Sequence, residues 1–216
     1  MFSAKNIRSF NFDLSSLTNG TSMFSGCMSL TTFNSNLSSL TNGYNMFNNC
    51  TNLTTFNGDL SSLTNGSYMF ENCTNLTTFT SDLSSLTNGL DMFNNCTNLT
   101  TFNADLTSLE YAGSIFRGCV NLSSFSGKLS SIYDAGDVFR DCKLNKESVK
   151  HIISELKQRT LNSDAVTILS IKLGIDKSLK NDTDLQSVLG ITGDTIFSYI
   201  LSNDNKIKWY VEILWN

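Results

Sequence analysis

Residues 53–75 read LTTFNGDLSSLTNGSYMFENCTN, and variants of this 23-residue string fill most of the chain. Cys27, Cys50, Cys73, Cys96, Cys119 and Cys142 stand 23 residues apart, as do Leu30, Leu53, Leu76, Leu99 and Leu122. Phe33, Phe56, Phe79, Phe102 and Phe125 keep the same step, and a Met-Phe pair at 69/70 recurs and relaxes to Ile115-Phe116 and Val138-Phe139. Six units run from Ile7 to about Leu144, the first opening with Ile7 and Phe10. So short a unit cannot close a core alone, because its apolar residues lie on one side of a single coil. Stacking of successive coils is therefore obligatory.

Within a unit, Leu53 to Phe56 reads as a short strand, and parallel strands of neighbouring coils pair about 4.8 Å apart. Asn65-Gly66 marks a tight turn, since both residues accept positive φ. Met69, Phe70 and Cys73 fall at i, i+1 and i+4, which predicts one short helical turn per coil.

The Leu-x-x-Phe strand, the Gly-x-x-x-Phe step and the Phe-x-x-Cys-x-x-Leu link, as in Gly66 to Leu76, resemble the 23-residue bacterial leucine-rich repeats of BspA-type surface proteins. The resemblance covers about two thirds of the chain and implies an α/β fold. The expected form is a right-handed leucine-rich-repeat solenoid of about six coils over residues 1–144, with a small C-terminal α/β cap over 145–216. The Ser-Ser-Leu-Thr-Asn-Gly wording also looks like repeats in structural proteins of gut phages and prophages.

Past Cys142 the composition changes. Residues 1–142 carry 5 basic and 10 acidic side chains, whereas 143–216 carry 10 and 9 in half the length. Val149, Ile152, Ile153 and Leu156 mark a helix over about 146–158, and Val166, Ile168 and Ile171 a strand. Leu185–Leu189 and Ile196–Leu201 read as two further short helices, and Ile207–Trp215 as a closing strand. Such a segment covers the apolar end of the last coil.

The 216 residues contain no proline, 16% charged residues and a net charge of −4. That balance provides no basic footprint for nucleic acid. No apolar run is long enough to insert in a membrane, and the start lacks the order of a signal peptide, so folding in the cytoplasm is expected. Six cysteines spread along a ladder do not converge as zinc ligands must. They read as buried, reduced thiols filling the core. Asn-x-Ser/Thr recurs at Asn49, Asn52, Asn72, Asn75, Asn95, Asn98 and Asn121, where turn chemistry is the expectation.

In each strand Leu53 and Phe56 read as inward and Thr55 and Asn57 as projecting from the sheet. The exposed ladder is Thr32, Thr55, Thr78 and Thr101 beside Asn34, Asn57, Thr80 and Asn103, with Asp59, Asp82 and Asp105 at its edge. These are the candidate ligand-binding residues; the competing reading is that they only keep the sheet soluble. One carboxylate per coil offers too few oxygens for calcium, so no metal and no cofactor is expected. The only histidine, His151, reads as a helix-surface partner of Glu155, and no catalytic motif is present. Trp209, Tyr210 and Trp215 offer faces on which a sugar stacks, but at alternating strand spacing Trp209, Val211 and Ile213 fit a core better.

The expected function is non-enzymatic recognition, on a virion or a bacterial cell surface, of a host-surface glycan or protein. Other virion proteins are further possible partners. The alternative is an architectural spacer.

Overall fold

In the coil that begins at Leu53, the side chains of Leu53, Phe56, Leu60, Leu63, Met69, Phe70 and Cys73 all turn inward and are at most 4% exposed. A computed structural model describes residues 6–158, 167–190, 197–201 and 207–216. Strands β1 (Ser9–Phe10), β2 (Thr32–Phe33) and β3 (Thr55–Phe56) pair parallel, each residue with its equivalent 23 positions on. Strands β4 (Thr101–Phe102) and β5 (Ser124–Phe125) pair likewise. Thr78-Phe79, between β3 and β4, forms no strand, so the face divides into two sheets.

A second parallel contact runs unbroken along the next corner, through Asn19, Asn42, Asn65, Asn88, Tyr111 and Asp134. Two files of phenylalanine fill the core between these faces. Phe24, Phe47, Phe70, Phe93, Phe116 and Phe139 stack with centroids 5.4 to 5.7 Å apart. Each ring also meets the strand-side file edge-on, as Phe70 meets Phe56 at 4.8 Å. Offset and edge-to-face geometry is what the ring quadrupole favours.

The expected helical turn is absent, and the hydrogen bonds explain why. The N–H groups of Gly66, Tyr68, Phe70 and Asn72 donate to Asn88, Leu90, Met92 and Asn94 of the next coil, at 2.8 Å. The alternating N–H groups of Met69, Glu71 and Cys73 close turns onto Gly66, Tyr68 and Phe70. A helix spends every N–H along its own axis, whereas this run sends half of them to the neighbouring coil. Left-handed residues produce the alternation: Tyr68 and Asn72 have φ of 58° and 60°, and the equivalent positions of the other coils are also positive. Asn, Asp, Ser and Gly at most of these positions keep the cost low.

The repeat merges into the C-terminal segment without a linker. Strand β6 (Phe139–Leu144) is part of the last coil and also the edge of a four-stranded sheet with β7 (Thr167–Ile175), β9 (Ile207–Trp215) and β8 (Phe197–Leu201), in the order β6-β7-β9-β8. Pairing is parallel except between β8 and β9. Residues 197–201 are thus a strand where a helix was expected, because a short apolar run carries no period that separates the two. Val166 and the side chains of Ile168 and Trp209 lie outside the described residues. Helix α2 (Thr183–Leu189) starts at the Asp182 carboxylate, which accepts from Leu185 N–H, and stops at left-handed Gly190.

Helix α1 (Lys146–Gln158) lies over the last coil. Ser148 accepts from Phe125 N–H at 2.8 Å, His151 Nε2 meets Gly127 O at 3.0 Å, and Glu155 accepts from Leu129 N–H at 3.1 Å. Positions 148, 151 and 155 share one helix face, so a single polar stripe satisfies the backbone that a further coil would otherwise bond. His151 and Glu155 therefore serve the last coil, in place of the surface pair expected between them.

Candidate functional site

Adjacent threonines of one strand have opposite duties. The hydroxyl of Thr54 donates to Thr31 O of the preceding coil at 3.0 Å, as Thr31 does to Arg8 O. The side-chain hydroxyls of Thr32, Thr55, Thr78 and Thr101 make no hydrogen bond among the described residues. Thr55, Thr78 and Thr101 are exposed, and Thr32 is half-buried by its neighbours. Burying Phe33, Phe56, Phe79 and Phe102 next to them fixes this outward row in place.

The second row, Asn34, Asn57, Thr80 and Asn103, is exposed throughout. Asn57 Nδ2 donates to Asn34 Oδ1 at 2.7 Å. Thr80 has no amide with which to continue this rung, and the sheet stops at the same coil. The strand-side rings also spread there, from 5.5 Å between Phe33 and Phe56 to 6.0 Å between Phe56 and Phe79.

The acidic row is partly consumed by the fold. Asp59, Asp82 and Asp105 each accept, through one oxygen, the N–H of the residue two positions on. This is an Asx turn, which leads the chain from the strand into the Ser-Ser corner. Asp59 and Asp82 are exposed and keep the second oxygen free of protein partners among the described residues. Asp105, half-buried, gives its second oxygen to Lys128 at 3.2 Å. Partial burial works against its ionisation, but the Thr107 contacts and Lys128 outweigh it and hold this carboxyl below its usual range. Among the described residues no three His, Cys, Asp or Glu side chains gather as a metal site requires.

Most of the repeated polar side chains elsewhere are rungs between coils. Thr41, Thr64 and Thr87 donate to the threonine carbonyl one coil back. Asn75 and Asn98 link amide to amide with Asn52 and Asn75, and Asn95 links to Asn72. The asparagines of the recurring Asn-x-Thr motif thus bond from coil to coil as well as shaping turns, a role visible only once the coils are stacked. All six cysteines are buried and free.

The turn corner around Tyr44, Tyr68 and Leu90, outside the candidate rows, also varies in its exposed residues. Tyr44, Tyr111 and Tyr133 are 42%, 47% and 53% exposed, and Tyr44 meets Tyr68 edge-on at 5.7 Å. Tyr111 and Tyr133 sit one or two residues before the small turn residue, not after it, and this offset hides the row from a strict 23-residue comparison.

No helix among the described residues is long and apolar enough to cross a membrane. A comparison with curated proteins finds no match. The family described as BspA type Leucine rich repeat region (6 copies) matches over residues 1–123 and 63–167, which together span most of the chain. With parallel strands in a 23-residue register and six stacked coils behind that match, the chain belongs to the BspA-type leucine-rich repeat family.

Proposed function

We propose that the chain is a non-enzymatic recognition module displayed on a virion or bacterial surface, binding a host-surface glycan or protein through its strand face. The observation that supports this most is the row of exposed, unpaired hydroxyls at Thr55, Thr78 and Thr101, each beside a buried phenylalanine ring. Hydroxyls held at a fixed step present equivalent weak contacts whose sum grows along the stack. An extended polymer collects them, whereas a compact molecule meets only one or two. Asn57, Thr80, Asn103 and the free oxygens of Asp59 and Asp82 flank the row and complete its donors and acceptors. In this reading the coil is right-handed and residues 145–216 cap its end.

The spacer alternative draws support from the rungs. Since Thr64, Asn75 and Cys73 are each needed to bond the preceding coil, stacking alone accounts for much of the near identity of the units. Replacing Asn57, Thr80 and Asn103 together by alanine separates the two readings. Recognition predicts lost binding to host cells or their purified surface glycan in a variant that stays folded, its melting temperature lowered only slightly by loss of the Asn57–Asn34 rung. A spacer predicts the same small thermal effect and no change in binding.

A further inference from the structure

Units 30–52, 53–75 and 76–98 differ most radically just after the turn glycine, where Tyr44-Asn45, Ser67-Tyr68 and Leu90-Asp91 occupy equivalent places. Elsewhere these units keep small polar or buried apolar residues, so stacking does not demand a large side chain at this corner. Tyr68 even takes a left-handed backbone, φ 58°, at a position that holds Ser22, Asn45, Asp91, Ser114 and Asp137 in the other coils. A bulky residue accepts that conformation only against a steric preference. A strained outlier is a pointer to function, and here it seats the ring against Tyr44 at 5.7 Å.

The aromatic row continues along the stack. Leu90 leans onto Gly113 of the next coil, whose small size leaves it room. Tyr111 and Tyr133 follow, 6.3 Å apart and both about half exposed.

Carboxylates line the same corner. Glu71, Asp91, Glu110 and Asp134 have no ion-pair partner among the described residues, whereas nearby Asp137 is paired with Lys172 and Arg140. Glu71 accepts from Asn48 Nδ2 at 2.6 Å, yet burial first, with the charge of Asp91, still pushes its carboxyl up. Residues 9–116 contain no Lys, Arg or His at all, against acids at 13, 59, 71, 82, 91, 105 and 110. Arg117 and Arg140 enter only in the last two coils. Tyrosine faces beside unpaired carboxylates form the chemistry that attracts Arg and Lys, by cation–π contact and charge together.

We propose that the corner from Tyr44 to Tyr133 is a second docking surface, separate from the strand face, for an extended Lys/Arg-rich protein segment.

The test uses the full chain and three synthetic peptides of equal length: alternating Arg and Gly, the same with Gln for Arg, and the same with Glu. Titration calorimetry is expected to show binding of the Arg peptide alone, weakening as salt rises. Tyr44→Ser with Tyr68→Asn installs residues other coils already use there, so the fold is retained while Arg-peptide affinity falls about tenfold. Glu71→Gln with Asp91→Asn is expected to act in the same direction and to reduce the salt dependence. Thr55→Val with Thr78→Val, on the strand face, should leave peptide binding unchanged. The proposal is overturned if the Arg peptide does not bind, if the Gln peptide binds as well, or if the tyrosine pair can be removed without loss. Binding of a neutral oligosaccharide at these tyrosines, with no Arg-peptide binding, overturns it equally by assigning the corner to another class of partner.

Discussion

From Cys50 onward the cysteines do more than fill space. The thiol of Cys73 donates to Phe47 O of the preceding coil at 3.2 Å, and Cys50, Cys96, Cys119 and Cys142 repeat the contact with Phe24, Phe70, Phe93 and Phe116. A residue here must be small, apolar enough for full burial and still able to offer one weak donor, which describes Cys better than Ala or Ser. Burial pushes the Cys50 and Cys119 thiols up to about 12, with the Cys27 thiol adding to the effect at Cys50. Thiolate is the reactive form, so the native ladder should be inert. A thiol-labelling reagent at mildly alkaline pH should mark few cysteines in the native chain and all six after denaturation without reductant. Fewer than six in the denatured chain would reveal disulfides.

At the scale of elements, what the sequence concealed is where backbone groups find partners. The Met69-Phe70-Cys73 spacing is compatible with a helical turn, yet a neighbouring coil 23 residues away supplies acceptors that an isolated segment lacks. Helix α1 was legible over its full length because its apolar stripe has a period of its own. The purpose of its polar stripe was not, since Ser148, His151 and Glu155 are explained only by Phe125, Gly127 and Leu129 lying beneath them. Glu155→Ala leaves Leu129 N–H without its partner and should cost about 1–3 kcal/mol, read from thermal or denaturant unfolding. Amide exchange at Leu129 should rise while amides in the coil around Phe70 keep their protection. Uniform loss across the chain would show instead that the solenoid opens as a single unit.

Taken whole, the molecule is a stack in which nearly every side chain at a repeated position bonds, packs or turns. The period and most of the outward rows followed from 23-residue arithmetic, although Thr32 and Asp105 are half-buried by their neighbours. Which outward residues are spare did not, because Thr54 and Thr55 are the same residue type and differ only in what lies one coil away. Residues 145–216, read as a cap, should be needed to protect Phe125, Phe139 and the last ladder. A chain ending at residue 144 is therefore expected to aggregate or to lose its final coil in exchange experiments, whereas a soluble, equally stable truncation would make the segment an independent domain.

The central claim is that the spare hydroxyls carry recognition, and replacing Thr55, Thr78 and Thr101 together by valine addresses it most directly. Valine keeps the branched shape and strand preference of threonine and removes only the hydroxyl. The measurement is the affinity of this variant for host cells or their surface glycan, beside the parent chain. The strand-face reading predicts at least about a tenfold loss, at roughly 0.5–1.5 kcal/mol for each hydrogen bond removed, with thermal unfolding undiminished. Undiminished affinity in a folded variant would contradict it.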